Sequence, residues 1–234
     1  MDAKQYYDRN ASRHSAGVED PAVRGKPPQG LLANLTDDDV ALEFIAPAGP
    51  FPRFLDVGCG DLEFLLRMTE IASERYGLDI SEYSSWQHHP EICTQLFDLD
   101  RGGIPFEDGF FDGISMLMVL EHVFDPFHAV REVSRVLKSG GRFVVNVPNI
   151  AYLKHRLKLL VGGLPCTSSP DSYALGSWDG FHLHNFTLGS LEWLLREHGE
   201  FDVIRRGGSG KASRLRSVLP SLLTGDLTLL CRRR

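Results

Sequence analysis

An α/β architecture, with a central sheet of seven strands flanked by helices, is what this 234-residue sequence predicts, and three observations predict it. Apolar runs of strand length recur along the chain and alternate with segments whose apolar residues fall at helical spacing. The first such run, Phe54-Leu55-Asp56-Val57, ends in a turn with glycines at alternate positions, Gly58 and Gly60, and a helical stripe follows. The last two strands, Phe201 to Arg205 and about Leu227 to Cys231, lie close in sequence, with a Gly/Ser-rich loop between them. Together these imply a Rossmann-like sheet. With no internal repeat, the chain reads as one domain, 1–234, with a cap segment 1–52 before the sheet and an insertion, 149–186, after strand five.

Composition sets the class. A chain with 42% hydrophobic and 24% charged residues is that of a soluble globular domain, long enough to bury a full core. A formal charge of -6 offers no general attraction to nucleic acid or to a membrane, so neither partner is expected. No stretch approaches about 18 consecutive apolar residues. The opening MDAKQYYDRN lacks the apolar segment of a signal peptide, so the expected location is the cytoplasm. Cys59, Cys93, Cys166 and Cys231 are scattered without a C-x-x-C pair, which argues against a zinc site or a disulfide framework. From Arg205 onward, basic residues outnumber the single acid, Asp226, without interleaved aromatics, and read as a solubilising end.

Taken in order, the segment to about Pro52 is rich in turn formers, with a weakly periodic helix through Asp37 to Ile45. Tyr6-Tyr7 read either as part of a segment covering a ligand or as a frayed end. Leu62, Leu65, Leu66 and Thr69 share a helical face behind Asp61, which stands where an N-cap would. A second strand runs from Arg75 and ends in Asp79, and a third, Ile92 to Phe97, precedes Asp98-Leu99-Asp100. Phe110 to Leu117 gives a buried fourth strand. Asp125-Pro126 starts a helix with Val130, Val133 and Leu137 as its stripe and Gly140-Gly141 as its end. Strand five is Arg142 to Val147. Asn149 to Gly163 reads as a basic amphipathic helix ended by glycines. A loop with Pro165, Pro170, Trp178 and Asp179 leads to the stretch from Phe181 to Thr187, where Thr187 caps a helix ending at Gly199.

The glycine turn carries the first chemistry, because glycines at the carboxyl end of a strand let a ligand lie against bare backbone. A dinucleotide fingerprint needs a small residue where Glu63 stands, and Asp56, Asp61 and Glu63 would repel a pyrophosphate. A nicotinamide-dependent oxidoreductase is therefore disfavoured, and a cationic ligand without phosphate suits the turn. Asp79 follows Gly60 by 79 − 60 = 19 residues. That is close to the roughly 20 at which such folds place a carboxylate that takes both hydroxyl protons of a ribose. S-adenosylmethionine, with an ammonium, a sulfonium and an adenosine, is such a ligand.

Asp56, Gly58 and Gly60 resemble the D-x-G-x-G-x-G motif of the class I S-adenosylmethionine-dependent methyltransferases, with Leu62 in place of the last glycine, a position read as already helical. The E-H-V-x-D-P sequence from Glu121, followed by R-E-V-x-R-V-L-K-x-G-G-R from Arg131, resembles the same family and is far more specific. The resemblance implies an antiparallel last strand. It also implies a cofactor site made of Asp56, Gly58, Cys59, Gly60, Asp79, Ile80 and Leu117. Asp98, or in the second place Asp100, would meet the adenine amino group, with the backbone N–H of Leu99 on the ring. His122 is then either the group that takes a proton from an acceptor hydroxyl or an orienting histidine at the cofactor mouth. In related quinone-biosynthesis methyltransferases an acid three residues before this Glu-His pair helps bind a metal; Met118 stands there, and no metal is expected.

The stretch from Asn149 to Thr187 is similar to the MetW-like branch and to sugar or surface-polysaccharide methyltransferases. The insertion then implies an acceptor lid, with His182 as a second catalytic candidate and His184 behind it. The implied function is methylation of a small-molecule acceptor, foremost at an oxygen of a sugar or other metabolite. The MetW-like resemblance offers a second reading, a partner or regulator of homoserine acyltransferase in methionine biosynthesis.

Overall fold

A computed structural model describes residues 26–168 and 182–234; Tyr6, Tyr7, Pro170, Trp178, Asp179 and Phe181 lie outside the described residues. Seven strands form one sheet: β1 (Phe51–Val57), β2 (Ala72–Asp79), β3 (Ile92–Leu96), β4 (Phe111–Leu117), β5 (Leu137–Pro148), β6 (Phe201–Gly207) and β7 (Asp226–Arg233). Their order is β3-β2-β1-β4-β5-β7-β6. Neighbours from β3 through β5 are parallel, and β7 runs antiparallel to both β5 and β6. The seven-stranded sheet and its antiparallel last strand match the sequence expectation.

Helices bury both faces, which is why the central strands read as nearly unbroken apolar runs. Alternate residues of each strand enter opposite cores. Leu55 and Val57 of β1, with Phe143 and Val145 of β5, join the core under α3 (Pro126–Val136) and α5 (Leu188–Gly199). Phe54 and Val144 join the other, under α1 (Asp37–Ile45) and α2 (Glu63–Arg67). α1 is weakly periodic, but a capping box starts it: Thr36 Oγ1 accepts from Asp39 N at 3.1 Å and Asp39 Oδ2 accepts from Thr36 N at 3.0 Å. Asp39 also receives Arg67 Nη2 at 2.5 Å, tying α1 to α2.

Two expectations about element ends are corrected. α3 starts as expected, with Asp125 accepting from His128 N at 2.9 Å, but it stops at Val136. Leu137 turns into the extended region (φ -84, ψ 138) and opens β5, so its fully buried side chain serves the sheet and not the helix stripe. Gly140 and Gly141 therefore lie inside β5, and the register shifts between the Phe111–Leu137 and Gly113–Arg142 pairs absorb the extra residues.

The second correction is at the glycine turn. Asp61 does not cap the helix; Leu62 occupies the N-cap in a left-handed conformation (φ 75, ψ 9), and Asp61 Oδ1 only accepts from Glu63 N at 3.3 Å. Leu62 is therefore not helical. It holds the backbone shape that the motif's last glycine would adopt freely, and its fully buried side chain is what keeps it there. Replacing a buried leucine loses about 2–5 kcal/mol, against about 1–2 kcal/mol regained by relaxing the left-handed backbone. Leu62→Gly is thus expected to lower unfolding free energy by up to about 4 kcal/mol in urea denaturation, although it restores the motif. A gain in stability would refute this balance.

After β5, α4 (Leu153–Leu160) buries none of its residues, and Gly162 (φ 81) closes it, donating to Leu159 O at 3.0 Å. Thr187 caps α5 together with Ser190. The basic C-terminal residues are braces more than a solubilising end: Arg232 and Arg234 pair with Asp202, Arg206 with Glu192, and Arg214 with Glu43. None of the described helices is long and apolar enough to cross a membrane.

Candidate active site

The strand order reverses between β1 and β4, and a crevice of about 220 Å³ opens there at the strands' carboxyl ends. The glycine turn forms one wall, with Gly58 at φ 80 and Gly60 at φ 48. Gly58 N and Cys59 N both donate to Leu78 O, at 2.7 and 3.1 Å, and Gly60 N donates to Asp79 Oδ2 at 2.9 Å. These bonds clamp the turn to the end of β2. Asp79 Oδ1 accepts from Ser81 N at 2.9 Å, so both carboxylate oxygens are fixed in direction. Trp86 Nε1 donates to Gly60 O at 2.8 Å, and Tyr83 stacks on Trp86 beside Gly60. A Cβ on Gly58 would come within 2.2 Å of Val119 Cγ2, so only glycine admits this approach of the turn to the far wall.

Gly58, Gly60, Asp79, Ile80, Asp98, Leu99 and Leu117 line the crevice, where the resemblance put the cofactor. Asp56 and Cys59 do not. Asp56 is buried, accepting from Ser115 Oγ at 2.7 Å, and Cys59 fills the space over Gly77, whose Cβ would stand 2.6 Å from its Sγ. Asp98 pairs with Arg101 Nε at 2.9 Å, and Asp100 accepts from Phe124 N at 2.8 Å. Sequence reasoning missed Tyr83 and Val119. The signal for Tyr83 was an aromatic four residues beyond the acid that ends β2.

The electrostatics favour a cation. Burial, and then the field of Asp79, pushes Asp56 up to about 7, against the opposing Ser115 hydrogen bond. Burial also raises Asp79, and burial with Asp37, Glu63 and Asp56 nearby pushes Asp38 up to about 8. Among the described residues no lysine or arginine lines the crevice. With Asp79, Asp98 and Asp100 as its charged lining groups, this base-free wall repels phosphate and is relieved by an ammonium or sulfonium. The residues present therefore fit S-adenosylmethionine.

A pH dependence follows from Asp56. Its folded-state carboxyl binds its proton more tightly than in the unfolded chain, so its contribution to stability is complete below about pH 3.8 and is lost as pH rises through 7. Each pH unit in that window is worth about 1.36 kcal/mol. Asp56→Asn stays neutral throughout, so between pH 5 and 8 it should gain about 2–3 kcal/mol on the wild type in urea unfolding. Parallel pH profiles for the two proteins would contradict this.

Beyond β4 stands the second group of candidates. Glu121 is fully buried, and neither carboxylate oxygen has a hydrogen-bond partner among the described residues. Burial pushes its carboxyl up to about 8. His122 lines the crevice, with Nε2 3.8 Å from Glu121 Oε1. Leu183 N and His184 N donate to Glu121 O at 2.8 and 3.1 Å, pinning the end of the insertion beside β4. This brings His182 against His122, ring centroids 4.9 Å apart and near perpendicular, and Thr167 Oγ1 lies 2.6 Å from His182 Nδ1. The two predicted histidines thus meet although 182 − 122 = 60 residues separate them. His184 stands aside, its ring 6.4 Å from that of Phe186.

Residues 55–145, from β1 into β5, match the family described as a methyltransferase domain. A demethylmenaquinone methyltransferase of Staphylococcus epidermidis is 32% identical over 175 residues, which cover 68% of this chain and 71% of that protein. The chain belongs to the class I S-adenosylmethionine-dependent methyltransferases. This methyltransferase chain is also 29% identical over 136 residues to the 27-O-demethylrifamycin SV methyltransferase of Amycolatopsis mediterranei, covering 52% of the chain and 50% of the relative. In fold it is similar to the N-methyltransferase NodS of Bradyrhizobium japonicum in complex with S-adenosyl-L-homocysteine, with a TM-score of 0.59 and 13% identity over 97% of each chain. The chain spans only 32–58% of the length of four of the curated relatives that it matches.

Proposed function

We propose that this methyltransferase moves the methyl group of S-adenosylmethionine to a small-molecule acceptor, at an oxygen of a sugar or other metabolite. The observation that carries the reading is the meeting of His122 and His182 at the edge of a crevice whose charged lining groups are carboxylates. Asp79 would take the ribose hydroxyls, Asp98 and the backbone of Leu99 would meet the adenine, and the turn at Gly58 and Gly60 would leave room for the amino-acid end. When bound, S-adenosylmethionine supplies a methyl carbon made electrophilic by its sulfonium. His122 lines the crevice and would take the hydroxyl proton of an acceptor placed beside it. Crevice and lid hold the reactants in line, which is most of what such a displacement needs.

Two further points support a small acceptor. A cavity of about 550 Å³, lined by Ile150, His155, Leu159, Pro165 and Asn185, lies within the insertion and is of the size that takes metabolites. Both named relatives above are methyltransferases of small molecules, a rifamycin and a menaquinone precursor.

Incubation with methyl-labelled S-adenosylmethionine and a metabolite extract, alongside calorimetric titration with S-adenosylhomocysteine, tests the reading. The expected result is a labelled small molecule and a saturable binding isotherm. Binding without label transfer would refute the enzymatic reading, and absence of binding would refute the crevice assignment.

A further inference from the structure

We propose that Glu121, His122 and His182 form a binding site for a first-row divalent cation, with Zn²⁺ as the ion that tests it. One ligand atom from each of the three side chains lies within 4.8 Å of the other two. Two imidazoles with one carboxylate are a donor set for borderline cations of this row, and not for Mg²⁺ or Ca²⁺, which take oxygen. Bonds of about 2.0–2.1 Å draw such atoms to a spacing of roughly 3.3 Å, within reach of side-chain rotation from the present arrangement.

A second observation, independent of the clustering, points the same way. A fully buried carboxyl with neither oxygen hydrogen-bonded is a costly thing to leave in a folded protein, and Glu121 is in that condition among the described residues. A cation between it and the two imidazoles removes that cost. The site is also braced as metal sites are. Thr167 Oγ1, 2.6 Å from His182 Nδ1, is the oxygen to which a ligating imidazole donates through its other nitrogen, leaving Nε2 with the lone pair. The backbone bonds from Leu183 N and His184 N to Glu121 O hold the third ligand's segment in place without using a side chain.

The expectation of no metal rested on the scattered cysteines and on Met118 three residues before Glu121, whereas the third ligand here comes from the far end of the insertion. The cation site stands on this geometry alone; its use rests on the methyl-transfer reading. Because His122 lines the crevice, a cation there has the acceptor hydroxyl as its natural further ligand; in the cation-bound chain the ion replaces His122 as the activating group, lowering that hydroxyl's pKa so that its proton passes to solvent, and the cation-free chain leaves that proton to His122.

The test is titration of the full chain, stripped with chelator, with Zn²⁺ by calorimetry and with Co²⁺ by visible spectroscopy. The expected result is one cation per chain and tetrahedral d–d absorption, without the near-ultraviolet thiolate band that binding at Cys93 would give. Glu121→Gln and His182→Ala should each weaken binding by more than about tenfold, and His184→Ala should leave it unchanged. Thermal unfolding of each variant confirms that it is folded. No binding, or binding undiminished in the folded Glu121→Gln and His182→Ala variants, overturns the proposal. Binding of S-adenosylhomocysteine without a cation would sink the metal site and spare the methyltransferase reading; a cation bound without S-adenosylhomocysteine would do the reverse.

Discussion

Asp79→Ala is expected to weaken S-adenosylhomocysteine binding by about a hundredfold or more. A carboxylate bonded to both ribose hydroxyls makes two charge-assisted hydrogen bonds, worth about 1.5–3 kcal/mol each, and every 1.4 kcal/mol is a factor of about ten. The same substitution frees the Gly60 and Ser81 amides, so the wall of the crevice loses its clamp along with the ligand's anchor. Asp79→Asn, which keeps the shape and one acceptor oxygen, should fall between the two. Calorimetric titration reads all three proteins. An Asp79→Ala protein that binds within about threefold of wild type would remove the ribose assignment, since that difference is under 1 kcal/mol.

His122→Ala should divide the two halves of the site. In the proposed role of proton acceptor His122 would contribute about 10²–10⁴ to turnover, so kcat with the acceptor found by the labelling screen should fall by that factor. On the proposed assignment Asp79 and the glycine turn carry most of the cofactor's binding, so S-adenosylhomocysteine affinity should change by less than about tenfold. A variant that turns over at near wild-type rate would leave His122 an orienting wall residue. One that loses cofactor and turnover together would mark it as part of the nucleoside site.

Much of this arrangement is legible in the chain because it is local. The glycine turn, the acid at the end of β2 and the Asp125-Pro126 helix start are each set by backbone demands within a few residues. The misreadings share one cause, an apolar residue whose period serves two structures. Leu137 continues a helical stripe yet is taken by the sheet, and Leu62 looks helical by propensity yet is held left-handed by its burial. No local signal marks Glu121 as buried with its carboxylate free of hydrogen bonds among the described residues, or places His182 against His122, because both depend on how the chain returns from the insertion. Asp56 illustrates the opposite case: the motif names it, and the structure puts it behind the crevice wall, joined to Ser115.

The two ends of the insertion are fastened by main-chain atoms. Asn149 N donates to Gly225 O and Ile150 N to Phe186 O, while Leu183 N and His184 N meet Glu121 O. Fasteners of that kind make no demand on which side chains lie between them. The segment is therefore a natural cassette: a stretch of about that reach from another member could be grafted between these anchor points, and the chimera would keep the crevice at the carboxyl ends of β1, β2 and β4 while changing what stands over it.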